Sequence, residues 1–257
     1  MVDILAGNLV LCHDGTRKLQ AGTLQIGLGG PSGPSGIPEE GLLFYAPMTS
    51  DKVTTAETGQ TLTFSDGVVP QEIDGIPCLK FPNIGYYMTA DEPSMHGKVL
   101  NATISMWMYI PSEISSRFDT PHFLMLGLGT GAQYSFLFGT FNVSSNTVNF
   151  QTLAKSNTWP SSNAPVEREK WFHVCGTVDD GLRIRTYVDG VASDELVQLD
   201  ARITLGSSGS GDCIKVNRQS TDAEGIGNVA ICALRIYDRV LDASEIEALA
   251  KEFTPTP

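Results

Sequence analysis

The run WFHVCGTVDDGLRIRTYVDG, residues 171–190, sets the tightest limit on what this chain can fold into. In a strand, successive side chains point to opposite faces. Trp171, His173, Cys175 and Thr177 therefore share one side, and Phe172, Val174, Gly176 and Val178 the other. Asp179-Asp180-Gly181 follows as a turn, because aspartate and glycine tolerate the backbone angles of a hairpin loop. Beyond it Leu182, Ile184, Thr186 and Val188 oppose Arg183, Arg185, Tyr187 and Asp189, and Asp189-Gly190 makes a second turn. Two strands and two turns account for every residue. The same period of two runs through ATISMWMYIP (102–111), where Ile104, Met106 and Met108 face away from Ser105, Trp107 and Tyr109. LLFYAPM, QTLTFS, PCLKF, GYYMTA, HFLMLGLG, YSFLFGTF and TVNFQTL read as further short strands, ending at a polar loop, SNTWPSSNAP. Short strands divided by turns predict antiparallel sheet packed on antiparallel sheet. The lack of long segments with a 3.6-residue period excludes a doubly wound α/β fold.

His173 and Cys175 lie on one strand face, which raises metal binding or thiol chemistry. A strand offers only alternate residues to that face, and Trp171 and Thr177 are not ligands. No acid stands ready to orient the histidine. The expected role of His173 is structural, hydrogen-bonded between the sheets. The five cysteines, Cys12, Cys78, Cys175, Cys213 and Cys232, are widely spaced and contain no C-x-x-C pair. They read as buried thiols, with one bridge, Cys213 to Cys232, left open.

The chain carries 17 basic and 29 acidic side chains, a formal charge of -12, which argues against nucleic acid as a partner. No stretch reaches the roughly 18–20 apolar residues of a membrane helix, so membrane insertion is not expected. MVDILAGNLVLCHDG lacks the basic start and long apolar run of a signal peptide. Residues 1–26 form an N-terminal appendage with two strand-like runs, too short to enclose a core alone. Residues 27–40 are a Gly/Pro/Ser-rich linker whose GPSGPSGIP places glycine at every third position. That spacing suits a semi-extended spacer or a short fibre-like piece. Residues 41–257 make the sandwich. The appendage is the segment through which a homo-oligomer would assemble.

The C-terminal NVAICALRIYDRVLDASEIEALAKEF opens as a strand, with Val229, Ile231 and Ala233 opposed to Ala230, Cys232, Leu234 and Ile236. Asp242 then fits a helix N-cap and Glu245 the third helical position, a capping box, with Leu241 and Ile246 as the hydrophobic staple.

These segments resemble the laminin-G-like domains of the concanavalin A-like lectin and glucanase superfamily. WFHVCGTVDDGLRIRTYVDGV is similar to their central signature, in which Trp171 and His173 open a strand and Asp189-Gly190 closes the next. AICALRIYDRVLDASEIEALA is similar to their closing strand and short helix. GLLFYAPM, GIPCLKF and ATISMWMYIP resemble the earlier strands, so the similarity covers 41 to about 253. The resemblance implies an all-β, two-sheet antiparallel jelly-roll sandwich with a short C-terminal helix. It also implies that rim loops or one sheet face bind carbohydrate or protein, in places through calcium. The E-x-D-x-x-E string of the glucanases is absent. Asp194 and Asp200 share a face by alternation while Glu195 faces away, and a hydrolase needs two carboxylates flanking one bond. No enzyme is expected.

Sugar binding asks for an exposed aromatic plane beside amides. Trp159, with Asn157 and Asn163, supplies that combination in the polar loop; the other reading of Trp159 is a plug for the sandwich end. Calcium asks for oxygen donors gathered on loops, and Asp179, Asp180, Asp222, Glu224 and Asn228 are the candidates. Asn101 and Asn142 fit the N-x-S/T pattern. The function expected is a non-catalytic carbohydrate- or glycoprotein-recognition module of a surface, secreted or virion protein, such as a phage fibre. The alternatives are a protein-interaction domain and, behind it, a hydrolase with an unfamiliar carboxylate pair. The cap reading has a direct check: Asp242→Ala should lower stability by about 1 kcal/mol in urea denaturation.

Overall fold

A computed structural model describes residues 2–5 and 8–11 by their backbone, and 36–49, 53–127, 133–155, 158–206, 213–218 and 225–253 in full. The chain divides into two units, 1–33 and 34–257. In the first, β1 (Val2–Leu5) and β2 (Asn8–Leu11) pair antiparallel, Val2 opposite Leu11. The rest of the appendage and Cys12 lie outside the described residues, as does most of the linker.

The second unit contains β3 (Leu42–Ala46), β4 (Leu62–Phe64), β5 (Val69–Ile73), β6 (Ile76–Phe81), β7 (Met88–Ala90), β8 (Ala102–Tyr109), β9 (His122–Leu126) and β10 (Leu137–Asn142). It continues with β11 (Thr147–Gln151), β12 (Ser161–Pro165), β13 (Trp171–Asp179), β14 (Arg183–Val188), β15 (Val191–Gln198), β16 (Ile214–Val216), β17 (Val229–Tyr237) and the helix α1 (Ala243–Ala250). A seven-stranded sheet runs β12-β11-β10-β9-β16-β7-β4. An eight-stranded sheet runs β15-β14-β13-β8-β17-β6-β5, with β3 beside β6 along the far edge of β17. Every pairing is antiparallel, so the all-β sandwich with one short terminal helix stands. Among the described residues no helix is long and apolar enough to cross a membrane.

The opening run is the hairpin β13–β14. Phe172, Val174 and Val178 enter the inter-sheet core. Gly176 sits on that face because a Cβ there would come within 2.4 Å of the Phe150 ring. Asp189 and Gly190 both have positive φ, 50° and 80°, as a two-residue hairpin turn requires. Asp189 Oδ1 also accepts from the His173 amide at 2.8 Å.

The other face of β13 lies under the C-terminal segment. Cys175, Tyr237, Leu241, Ile246 and Leu249 form one apolar cluster there, and the Trp107 indole donates to the Leu249 carbonyl at 3.2 Å. The capping box is formed: Asp242 accepts from the Ser244 and Glu245 amides, and Glu245 accepts from the Asp242 amide. Arg235 and Glu252 make a two-pronged ion pair at 2.6 and 2.7 Å, with both side chains almost fully buried. His173 is fully buried beneath this layer, Nε2 at 2.7 Å from Ser105 Oγ on the adjacent strand. Its hydrogen bond runs within one sheet, under the C-terminal segment, and not between the sheets.

Two further expectations change. Strict alternation along β17 fails at Ala233, whose φ is +52° and where the register with β8 shifts between Cys232 and Arg235. This bulge turns Leu234 and Ile236 to the opposite face from Cys232 and puts Arg235 where Glu252 can reach it. SSNAP is also not a loop but the edge strand β12. The Ser162 hydroxyl accepts from the Thr186 amide at 2.9 Å and lies 2.8 Å from the Glu195 carbonyl, which seams the two sheets along one side. The four described cysteines are buried and free, which removes the Cys213–Cys232 bridge.

Burial pulls His173 down to about 3, helped by the Arg235 charge, and burial alone takes His122 to about 4. The unfolded chain takes up protons on both near 6.5, before the folded chain does, so stability is lost as pH falls below that value. Between pH 6.5 and 5 each histidine should contribute a loss of about 1 kcal/mol per pH unit. Urea midpoints across that window test this, and His173→Gln should roughly halve the slope.

Candidate functional site

The outer face of the seven-stranded sheet carries an aromatic platform. Register places Ser161, Gln151, Phe138, Met125 and Lys215 in one row, and Asn163, Asn149, Thr140 and His122 in the next. The neighbouring rows, with Leu137, Leu126 and Ile214, face the inter-sheet core. Met125, Phe136 and Phe138 form a buried cluster of their own, with Leu153 against it. On top lies Trp159. Its ring is 5.9 Å from Phe138 at 28° and 6.2 Å from Phe136 at 34°, in a stacked or tilted arrangement. The tryptophan is nevertheless 42% exposed, whereas Trp107 and Trp171 are buried at 4% and 9%. Trp159 is therefore a surface plate on a sheet and not a plug in the sandwich end.

Local chemistry holds the plate in place. Ala154 donates its amide to the Thr158 carbonyl at 2.9 Å, and the Thr158 hydroxyl donates to the Lys155 carbonyl at 2.9 Å. Tyr134 donates its hydroxyl to Asp200 and accepts from the Lys155 amide at 3.2 Å. That hydroxyl contact is the largest influence holding the Asp200 carboxyl below its ordinary value. Pro160 then leads directly into β12.

Amides border the plate. The Asn163 side chain donates to Glu195 Oε2 at 2.9 Å and to the Ser161 carbonyl at 3.2 Å. Gln151 adjoins Phe138 in the same row, with Ser161 beyond it. Behind them Thr140 donates to Asn149 Oδ1, both buried. A flat apolar ring next to carboxamide and hydroxyl groups suits a ligand with one apolar face and many hydroxyls. Trp159 and Asn163 thus lie on one face, and Asn157 is outside the described residues. Sequence reasoning missed Phe136, Phe138, Met125 and Gln151. The signal was present in SFLFGTF: Phe136 and Phe138 alternate with Leu137, so both faces of that strand are apolar and the outer one needs a cover.

The acidic candidates are dispersed. Asp179 pairs with Arg183, and Asp180 takes two prongs from Arg202 at 3.1 and 2.6 Å. Those contacts lower the Asp180 carboxyl, its hydrogen bond with Arg202 most of all. The Asn228 side chain donates to the Glu113 carbonyl at 2.8 Å. The β13–β14 turn lies beyond the Ala102 end of β8 and Asn228 beyond the Tyr109 end. An eight-residue strand separates them, about 23 Å, so these two groups do not share an ion. Asp222 and Glu224 are outside the described residues. The register shift in β14–β15 interrupts alternation between Asp194 and Asp200, while Glu195 and Asp200 are engaged by Asn163 and Tyr134. Asn101 Oδ1 accepts from the Asp180 amide at 3.2 Å, and Asn142 Oδ1 from the Ser144 and Ser145 amides at 3.1 and 2.9 Å, so both glycosylation-pattern asparagines brace turns.

A two-sheet antiparallel sandwich with a capped terminal helix and a solvent-facing aromatic plate defines the architecture of a lectin-like domain. Residues 83–247, more than half of the chain, match a laminin G family model of the Concanavalin A-like lectin/glucanases superfamily. The chain belongs to that family. No curated protein sequence matches it significantly. Among solved structures it is similar to the botulinum neurotoxin serotype D ligand binding domain in complex with N-acetylneuraminic acid. That TM-score is 0.63 at 11% identity, over 83% of this chain and 51% of that one. The botulinum neurotoxin type G receptor binding domain gives 0.60 at 16% identity, over 82% and 51%. The C/D mosaic serotype receptor binding domain gives 0.62 at 12% identity, over 83% and 51%. The chain spans about half the length of these structures, and at such identities the likeness is one of fold.

Proposed function

We propose that the chain is a non-catalytic carbohydrate-recognition module whose ligand is a neutral pyranose of a larger glycan, stacked on Trp159. The observation that carries this reading is the tryptophan ring packed on Phe136 and Phe138 while remaining 42% exposed. Tryptophan is highly buried on average and is enriched at interfaces, which makes a ring left this exposed a candidate contact surface. The neutral bordering groups Asn163, Ser161 and Gln151 suit hydroxyl recognition, and the chain's charge of -12 disfavours acidic sugars. Membership in a lectin/glucanase superfamily and the sialic acid complex of one fold neighbour support glycan as the ligand class. Binding is proposed to be independent of calcium, since Arg183 and Arg202 already neutralise the Asp179 and Asp180 carboxylates.

Trp159 is the exposed member of three tryptophans, so ligand binding should quench its fluorescence. On a glycan array the chain should retain neutral glycans equally with and without calcium. Trp159→Ala should weaken binding roughly thirtyfold or more, as for a central aromatic anchor, with the urea transition still cooperative. Equal binding by the variant removes Trp159 from the role. No glycan retained, with a protein partner captured through the same face, favours the protein-interaction reading. Sugar released from a bound oligosaccharide revives the hydrolase.

We further propose that the module belongs to a surface, secreted or virion assembly, with the appendage and GPSGPSGIP spacer as its oligomerising arm. Light scattering on the full chain should give an oligomer that becomes monomeric when residues 1–36 are removed. A monomeric full chain would refute the arm.

A further inference from the structure

At one rim of the seven-stranded sheet, three chemically different ligand groups converge from two distant parts of the chain. Strand β7 ends at Ala90 opposite Ile214, the first residue of β16, so Asp91 and Cys213 meet one register step beyond that pair. A single 3-10 turn, Pro93–Met95, then brings His96 back over Asp91. Asp91 Oδ1 lies 2.7 Å from His96 Nε2 and accepts from the Cys213 amide at 3.4 Å. The Cys213 sulfur accepts from the Glu92 amide at 3.3 Å, which holds it beside the same turn. One carboxylate oxygen, one imidazole nitrogen and one thiol sulfur lie within 4.8 Å of one another, the single such group found among the described residues.

We propose that Asp91, His96 and Cys213 bind a divalent transition-metal ion of the zinc class. Zinc takes sulfur at about 2.3 Å and nitrogen or oxygen at about 2.0–2.2 Å, so tetrahedral ligands stand roughly 3.3–3.8 Å apart. Asp91 Oδ1 and His96 Nε2, 2.7 Å apart, would separate slightly to reach that spacing, the sulfur lies within 4.8 Å of both, and side-chain rotations of the partly exposed Asp91 and His96 supply the adjustment. A thiol ligand excludes calcium and magnesium, which bind through oxygen. Three protein ligands leave a fourth position for water. Burial holds the Cys213 thiol at about 12 without a cation, so coordination expels its proton to solvent as the S–metal bond forms. The ion would tie the 90–96 turn to β16, a structural clamp at the rim, using none of the residues proposed for sugar.

The test is a cobalt(II) titration of the full chain carrying Cys12→Ser, which removes the thiol outside the described residues. A thiolate-to-cobalt charge-transfer band saturating at one ion per chain, and displaced by one equivalent of zinc, is expected. Cys213→Ser should abolish the band, and His96→Ala should weaken cobalt binding at least tenfold, with folding verified by circular dichroism. If the buried Cys213 variant does not fold, the partly exposed His96 variant carries the test. No band, or a band unchanged in His96→Ala, overturns the site. Trp159→Ala should leave cobalt binding intact, so failure of the sugar reading and failure of the metal site are separately visible.

Discussion

Everything else in the sandwich hangs on the ladder β17–β8–β13. These three central strands are buried on both faces almost throughout. One face packs into the space between the sheets, where Ile104, Met106 and Met108 meet apolar partners. The other face interleaves apolar and polar groups, and the polar ones need partners because an unpaired buried polar group costs about 1–3 kcal/mol. Ser105 meets His173, and Arg235 meets Glu252 while stacking 4.0 Å over the Tyr45 ring. Thr103 donates to the Arg239 carbonyl and accepts from the Leu241 amide at 2.8 Å. Three of these partners, Arg239, Leu241 and Glu252, lie in the segment after β17. The place of α1 therefore follows from hydrogen-bonding demand in the sheet as much as from its own apolar stripe.

This cover makes the two outer faces unequal. Under α1 the eight-stranded sheet presents a closed surface, with Trp107 held edge-on by Phe253. On the seven-stranded sheet the aromatic cluster of Phe136, Phe138 and Met125 is topped by a tryptophan that stays in contact with water. A rigid sheet is a good base for such a plate. Phe138 is held by strand pairing on both sides, the Phe136 carbonyl accepts from the Thr152 hydroxyl at 2.7 Å, and recognition gains from groups already held in place.

The hairpin β13–β14 and the capping box could be read from the sequence residue by residue, because each expresses a local rule: alternation, Asp-Gly turns, and a three-residue cap spacing. What escaped was set by longer-range facts. The bulge at Ala233 carries no glycine to mark it, and its role appears only when Arg235 is seen meeting Glu252. The polar text of Ser161–Pro165 hid a strand because, of its inward positions, only Ala164 enters the apolar core, while Ser162 makes a hydrogen-bonded seam with β14 and β15. Ile214–Val216 is too short to show a period. For the site, Trp159 and Asn163 were legible as an aromatic beside an amide. Their phenylalanine support lies more than twenty residues upstream, and Asp91 and Cys213 are 122 residues apart, so only the fold brings either group together.

The Ser162 seam also governs how such a domain behaves in a crowd. Two stacked sheets ordinarily leave four outermost strands with backbone groups ready to recruit a strand from a neighbour. Here β12 and β15 lie against one another, with the Ser162 hydroxyl engaging the Glu195 carbonyl and the Ser193 hydroxyl. On the opposite side β4 has three residues, and β5 reads Val-Pro-Gln-Glu-Ile, in which Pro70 offers no donor and Glu72 brings charge. Each flank thus carries a feature that blunts strand addition by a neighbouring molecule.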